Sequence, residues 1–475
     1  MNNAFPESGK SRQEVLGAVT QSRAQDLRSD GHAFAFVYDP GEEARELARQ
    51  VFAACMPING LDPTAYPSAR HLENGVVHAC LELMHAPEGA LGTATAGGTE
   101  SVMLAVKTAR DYARKTRPEV TRPKMLLPVT AHACFHKAAH YLGLEVVSVD
   151  VDPTTFRADV SDARRKMSKD VVLVVGSAPS YAHGVVDDIT GLAALAQEFG
   201  TLMHVDACVG GLVLPFLREA GVEGPNYDFR IPGVTSISMD LHKYGFAPKG
   251  ISVLLQRRRD LRDAQYFTCA TWTGYSIINS TTLGSKSAAA MGAAFALIQH
   301  LGREGYRERA QRMWQATQAI VSLVDESPEL EMVGRPDVNL FALRTTRGDL
   351  FELADRLTAK GWLVQPTYAF GPSPAHIHLT LDPENARRAE EFGRDLLACA
   401  VDLPPLQAPP EGVVSFLAAL AAGADGVDSQ AVLSEMGLGA GTLPEQAAPL
   451  HRVMNALPPE QRERLLLLFF GELFS

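Results

Sequence analysis

Three stretches carry residues able to do chemistry together. The first is Thr95-Ala96-Gly97-Gly98-Thr99-Glu100-Ser101, followed at once by an amphipathic helical pattern. A Gly-rich turn that opens a helix presents free backbone N–H groups at the positive end of the dipole, which suits a phosphate. Thr99 and Ser101 add hydroxyl donors. The turn is not a GxxxxGK[ST] loop, which argues against a nucleoside triphosphate. The second is Leu202-Met203-His204-Val205-Asp206-Ala207-Cys208. An aspartate at the end of a buried strand costs desolvation energy unless a cation pairs with it, and a pyridinium nitrogen would serve. The third is Ser236-Ile237-Ser238-Met239-Asp240-Leu241-His242-Lys243, which sets His-Lys directly after a strand. A partly buried lysine there can have a depressed pKa and form a Schiff base. Each feature alone has a plainer reading: a helix cap without a ligand, an aspartate satisfied by backbone, a surface-loop lysine.

Together the three are the protein's share of pyridoxal 5'-phosphate (PLP) chemistry: a phosphate cradle, a pyridinium partner and a Schiff-base lysine, in that order. Asp206 and Lys243 stand about one βαβ unit plus a loop apart, so two sequential strand ends can bring both around one small ring.

The elements that must position them alternate. Short β-rich runs (KMLLPVT, LEVVSVDVD, VVLVVGSAP, TLMHVDACV, VTSISMD, GISVLLQ) are separated by helical stretches between about residues 90 and 260. That alternation predicts a mostly parallel sheet covered on both faces. Residues 1–30 read as a polar arm, Glu42 to Cys55 and Ala69 to Met84 as helices, and 286–325 as a long helix or helix pair. Residues 330–400 alternate again as a small α/β domain, and an Ala- and Leu-rich helical tail follows. The expected division is an N-terminal segment (1–60), a large cofactor domain (61–315) and a small C-terminal domain with its tail (316–475).

Composition narrows the class. The chain has 475 residues, 46% apolar and 21% charged, enough to bury a large core and unlike a disordered chain. Its net charge of −11 argues against a chain-wide nucleic-acid or anionic-membrane footprint. The six cysteines form no CxxC pair and no zinc spacing, so they read as reduced thiols. The N-terminus lacks an apolar signal core, and the apolar run Leu465–Phe470 is far shorter than the ~20 residues a membrane helix needs. A soluble cytoplasmic protein is expected, with a small-molecule substrate and no metal. His136 and His140 have a metal-compatible spacing but no evident third ligand. Arg257-Arg258-Arg259 reads as a solvated turn.

The runs TAGGTESVMLAVKTARD, TAHACFHKAAHYLG, GSAPSYAHGVVDD, HVDACVGG, TSISMDLHKYGFAPKG and AKGW resemble the group II PLP-dependent decarboxylase superfamily. Within it they are most similar to the sphingosine-1-phosphate lyases, from about Tyr38 to about residue 390. The resemblance implies a fold type I enzyme with a seven-stranded sheet, working as a homodimer with shared active sites. It implies Lys243 as the cofactor lysine, Asp206 on the pyridine nitrogen and His132 stacked on the ring. Gly97, Gly98 and Thr99 match the phosphate turn, and His242 a phosphate contact. Thr281, Gly284 and Ser285 match a stretch that reaches a phosphate from the neighbouring subunit. Lys249 matches a lysine near the substrate, and Tyr38 a tyrosine that enters the partner's site. Tyr181 is a further candidate for proton transfer.

Three departures fall outside the cofactor set. Where the lyases have Asn-Pro-Leu-His, this chain has Asn59-Gly60-Leu61-Asp62. Their Trp-x-Gly-Gly-x-Tyr is Trp272-Thr273-Gly274-Tyr275-Ser276-Ile277, and their Gly-Ser-Arg-Pro-Gly is Gly284-Ser285-Lys286-Ser287-Ala288. A lysine lacks the bidentate fork of arginine. An aspartate at 62 would put an anion where a phosphorylated substrate sits, which points away from the long-chain base phosphate itself. The expected reaction is retro-aldol cleavage of a β-hydroxy amine. Amino-acid decarboxylation is the rival, and a catalytically silent scaffold the minor alternative, disfavoured by the retained Lys243.

Overall fold

All six of the β-rich runs form strands, and a seventh joins them, in the computed structural model, which describes residues 5–24, 26–409, 414 and 446–473. The seven are β1 (Leu91–Thr95), β2 (Lys124–Pro128), β3 (Glu145–Val149), β4 (Val171–Ser177), β5 (Leu202–Asp206), β6 (Ser236–Met239) and β7 (Ser252–Gln256). They make one sheet in the order β1-β7-β6-β5-β4-β2-β3. The pairs from β3 across to β6 are parallel, and β7 runs antiparallel to both β6 and β1. Every residue of β4 is buried, as its uninterrupted Val/Leu run requires of a strand covered on both faces.

β1 escaped the sequence reading because LGTAT is diluted by glycine and threonine. Packing explains the glycine. A Cβ on Gly92 would come within 2.7 Å of Val77 and 2.8 Å of Leu255, so only a bare backbone fits between the helix below and β7 beside it.

The helix Glu42–Cys55 has the expected bounds, and the helix expected from Ala69 starts two residues earlier, at Pro67. The helical stretch Ala289–Glu326 is a pair of helices that meet at a kink at Gly302, and residue 315 falls inside the second of them. Beyond it a four-stranded antiparallel sheet (330–332, 340–345, 376–380, 365–367) carries the helices Leu350–Ala359 and Ala389–Ala400. A contiguous apolar core runs from Phe34 to Ala400 and joins both sheets.

The N-terminal segment divides in two. The helix Arg12–Ser22 buries no residue, consistent with an arm. Ala33 to Ala35 is instead built into the small domain: Phe34 is fully buried, packs on Trp362 and Phe392, and its N–H donates to Leu363 O at 2.9 Å. In the tail, Ala448–Ala456 and Pro459–Leu473 are helices. They dock on the small domain through Tyr368 and His451 (2.9 Å) and through Arg452 and Asp349 (2.5 Å). Most of the expected helical tail between 410 and 445 lies outside the described residues.

Candidate active site

Six strands point the same way, so their C-terminal ends share one edge of the sheet, the edge where open α/β folds bind ligands. β1 leads into Gly97, whose φ of 153° a glycine tolerates readily, and then into the helix Gly98–Thr116. β5 ends on Asp206, and β6 leads into Asp240 and the turn that bears His242 and Lys243. The loops after β2 and β4 deliver His132 and Tyr181. Together these residues line a cleft of about 550 Å³.

The electrostatics of the cleft centre on Lys243. Its Nζ lies 2.9 Å from Asp240 Oδ2, and the carboxylate is buried. Burial, the largest single influence, would push the Lys243 pKa down, but Asp240 together with Cys208, Tyr38 and Asp206 outweighs it and the value is raised. Burial would raise the Asp240 carboxyl, but the charges of Lys243 and His242 together with hydrogen bonding hold it below its ordinary value. Asp206, 8% exposed, accepts from Cys208 N at 3.1 Å and from Ser238 Oγ at 3.4 Å. Asp240 was missed in the sequence reading, though it stands three residues before the lysine in the motif that carries the resemblance.

The residues present fit PLP. The helix at Gly98 has no side-chain cap, so its first N–H groups are open to an anion. A Cβ on Gly98 would lie 2.7 Å from Asp240 Oδ1 and 3.0 Å from Cys208 Sγ, so the turn must be bare backbone to sit this close. His242 Nδ1 is buried without a hydrogen-bond partner, a donor or acceptor left over for a ligand.

Other expected residues distribute differently. His132 is exposed at the cleft wall, and its Nδ1 accepts from Cys134 N at 3.2 Å. The Tyr181 hydroxyl donates to Gln365 Oε1 at 2.9 Å, and its ring lies 4.2 Å from that of His378. Tyr38 packs within its own chain, edge-on to Tyr244 and with Lys249 Nζ 4.4 Å from its ring centroid. The extended segment is anchored at Phe34, which sets Tyr38 beside Tyr244 and Lys249 of its own chain. Burial pushes its hydroxyl up to about 12. Lys249 stands on the far side of His242, donating to His242 O at 3.1 Å. Desolvation of its ammonium and the nearby Lys243 charge push it down to about 8, although much of the side chain meets solvent. Thr281, Gly284 and Ser285 do not line the cleft; their neighbours Thr282 and Leu283 do, with Thr282 N donating to Glu100 Oε1 at 2.8 Å.

Two sequence expectations change. The Asp62 carboxylate accepts from Thr64 N (2.8 Å) and Thr64 Oγ1 (2.6 Å), so it closes its own exposed turn and does not line the cleft of its own chain. Arg259 is exposed, as a solvated turn requires, but Arg257 is only partly so: its guanidinium donates to the carbonyls of Phe229 (2.7 Å) and Ile231 (2.8 Å), bracing the loop before β6. His136 and His140 lie exposed on the helix Cys134–Leu142.

Comparison with known proteins agrees with this geometry. Residues 1–346 match the pyridoxal-dependent decarboxylase conserved domain, and residues 411–472 match the C-terminal putative HTH domain of pyridoxal-dependent enzymes. Sphingosine-1-phosphate lyase of Saccharomyces cerevisiae is 39% identical over 70% of this chain and 57% of its own length. That of Arabidopsis thaliana is 36% identical over 81% of this chain and 71% of its own. The structure of a Burkholderia pseudomallei sphingosine-1-phosphate lyase superposes with a TM-score of 0.81 at 30% identity, covering 90% of this chain and 98% of that one. A Lactobacillus brevis glutamate decarboxylase shares the fold, with a TM-score of 0.74 at 21% identity over 85% of this chain and 95% of its own. The chain belongs to the PLP-dependent decarboxylase superfamily, as a member similar to the sphingosine-1-phosphate lyases.

Proposed function

We propose that the chain is a PLP-dependent carbon–carbon lyase that cleaves a phosphorylated β-hydroxy amine to an aldehyde and an amine. The observation that carries the reading is the one cleft that gathers Gly98, His132, Asp206, His242 and Lys243 in a chain similar to the sphingosine-1-phosphate lyases. Lys249, packed on Tyr38 behind His242 and pushed down to about 8, is the candidate base. Retro-aldol cleavage needs a group that takes the β-hydroxyl proton near neutral pH, whereas loss of carbon dioxide does not.

Bound in the cleft, the cofactor supplies an electron-poor ring that accepts the electron pair of a bond broken at the amine-bearing carbon. Gly97, Gly98, Thr99 and His242 would hold its phosphate, Lys243 its aldehyde carbon and Asp206 its ring nitrogen. His132 would cover one ring face. Lys249, held over Tyr38, takes the hydroxyl proton, and Tyr181, fixed by Gln365, assists proton return.

A homodimer is part of this reading. The segment 267–283 leaves Phe267, Trp272, Tyr275, Ile278 and Leu283 between 47% and 63% exposed, an apolar surface suited to a second copy. In the dimer Thr281, Gly284 and Ser285 would face the neighbouring cleft. A cytoplasmic location completes the proposal, supported by six cysteines that are all free thiols.

One finding favours the rival reading. A probable L-aspartate decarboxylase of Pyrococcus furiosus is 33% identical over 75% of this chain and 94% of its own length. Product analysis separates the two. Incubation with phosphorylated sphingoid bases is expected to release an aldehyde and a phosphorylated amine, read by mass spectrometry. Carbon dioxide from an amino-acid panel, with no aldehyde, would replace the lyase reading by decarboxylation.

A further inference from the structure

Asp240 belongs to none of the roles assigned above, yet it makes the closest charged contact with the cofactor lysine. We propose that Asp240 is a positioning residue whose buried carboxylate keeps a proton on the Lys243 nitrogen, both as the free amine and in the lysine–cofactor linkage. It thereby sets the pH at which that linkage deprotonates. The inference rests on the cofactor reading of this site.

Geometry carries it. Asp240 Oδ2 lies 2.9 Å from Lys243 Nζ. The two residues sit on one turn closed by Lys243 N donating to Asp240 O at 3.3 Å, so the carboxylate is tied to the lysine's own backbone. The second oxygen, Oδ1, is buried with no hydrogen-bond partner, and Gly98 is packed against it. A buried carboxylate with one bare oxygen depends on its cation, because removing one partner of a buried pair leaves an uncompensated charge.

The chemistry of the linkage fits that dependence. An ammonium and an aldehyde give the protonated linkage and one molecule of water. The carbon–nitrogen bond forms, the carbonyl oxygen leaves as water, and the positive charge is conserved beside Asp240. A neutral linkage would strand the carboxylate.

Other groups face the same nitrogen. Asp206 and Cys208 approach from the end of β5, and Tyr38 from the N-terminal segment. Cys134 and Tyr181 face it from their own elements. His242 and Lys249 are the nearby bases, and His242 Nε2 stands 3.7 Å from Asp240 Oδ2. Asp206 is turned toward Cys208 N and Ser238 Oγ, so among the described residues Asp240 is the carboxylate in ion-pair contact with Nζ.

The test is the visible spectrum of the PLP-loaded protein, titrated from pH 6 to 10, where the protonated linkage absorbs at longer wavelength than the neutral one. The unaltered protein should keep the long-wavelength band throughout. Asp240→Asn should lower the midpoint of its loss by roughly 1–3 pH units, the usual effect of one close opposite charge. Asp240→Glu, which restores the charge, should return the band toward its original range. If Asp240→Asn does not fold, Asp240→Ser, with room for a water, is titrated in its place and should show the same fall. A variant that binds PLP and titrates as the unaltered protein does overturns the proposal, as does a glutamate variant that behaves like asparagine. Absence of any band in the unaltered protein after loading overturns the cofactor reading, and this proposal with it.

Discussion

Replacing Lys249 by Met should remove one limb of the pH–rate profile, and the size of the effect follows from the site. Two influences push the ammonium down, desolvation and the charge of Lys243, while Asp240 pulls the other way, leaving a value of about 8 instead of 10.5. At pH 7 an amine with a pKa of about 8 is neutral in roughly one molecule in ten, against about one in three thousand at 10.5. The supply of free base at neutral pH is therefore raised by at most about 300-fold, less whatever solvent around the exposed side chain screens. The sign is fixed by the role: a base acts in its neutral form, so kcat/KM should climb with pH and level off above about 8. Lys249→Met should lower kcat by about 10²–10⁴-fold, the usual worth of a positioned proton acceptor, and abolish that limb. Lys249→Arg, which keeps the charge but cannot release a proton, should be equally poor. The assay is aldehyde release from a phosphorylated β-hydroxy amine between pH 6 and 9.5. A Met variant that retains both the rate and the limb refutes the assignment, as does a limb centred near 10.

Gly98→Ala places a methyl 2.7 Å from Asp240 Oδ1 and should weaken PLP retention by about 10–100-fold, consistent with overpacking costs of about 1–3 kcal/mol; equilibrium dialysis reads it, and unchanged retention would refute the tight-turn argument. Trp362→Ala removes a buried ring packed on Phe34 and Phe392 and the indole donor to Asp395 Oδ2 (2.8 Å), and should cost about 3–5 kcal/mol in chemical denaturation. A loss below about 1 kcal/mol would mean that the N-terminal segment and small domain do not share this core. Trp272→Asp combined with Tyr275→Asp should shift the mass measured by light scattering from twice 51.2 kDa toward 51.2 kDa. An unaltered dimer would locate the interface elsewhere.

Much of the cofactor site is legible in the sequence because each piece is local. A glycine turn before a helix, an acid at a strand end and a lysine after a strand all show their chemistry within a few residues. The strands β2 to β7 announce themselves by dense apolar runs, whereas β1 does not, because its glycine answers to Val77 and Leu255 from distant segments. Arg257 shows the same reason in reverse. Its type suggested a solvated charge, but three distant carbonyls claim its guanidinium.

The sequence by itself pointed to the kind of chemistry, singled out Lys243 as the candidate lysine and showed the alternation that builds a sheet with one ligand-binding edge. These follow from residue type and short-range periodicity, which need no knowledge of neighbours in space. Only the tertiary structure decided that Asp206, brought in from β5, faces Cys208 N and Ser238 Oγ and leaves Lys243 to its neighbour Asp240, and that Tyr38 packs on Lys249 in the same chain. Those choices depend on strand order and on which side of a turn a side chain faces. At distances near 3 Å, a small change in either exchanges one charge partner for another.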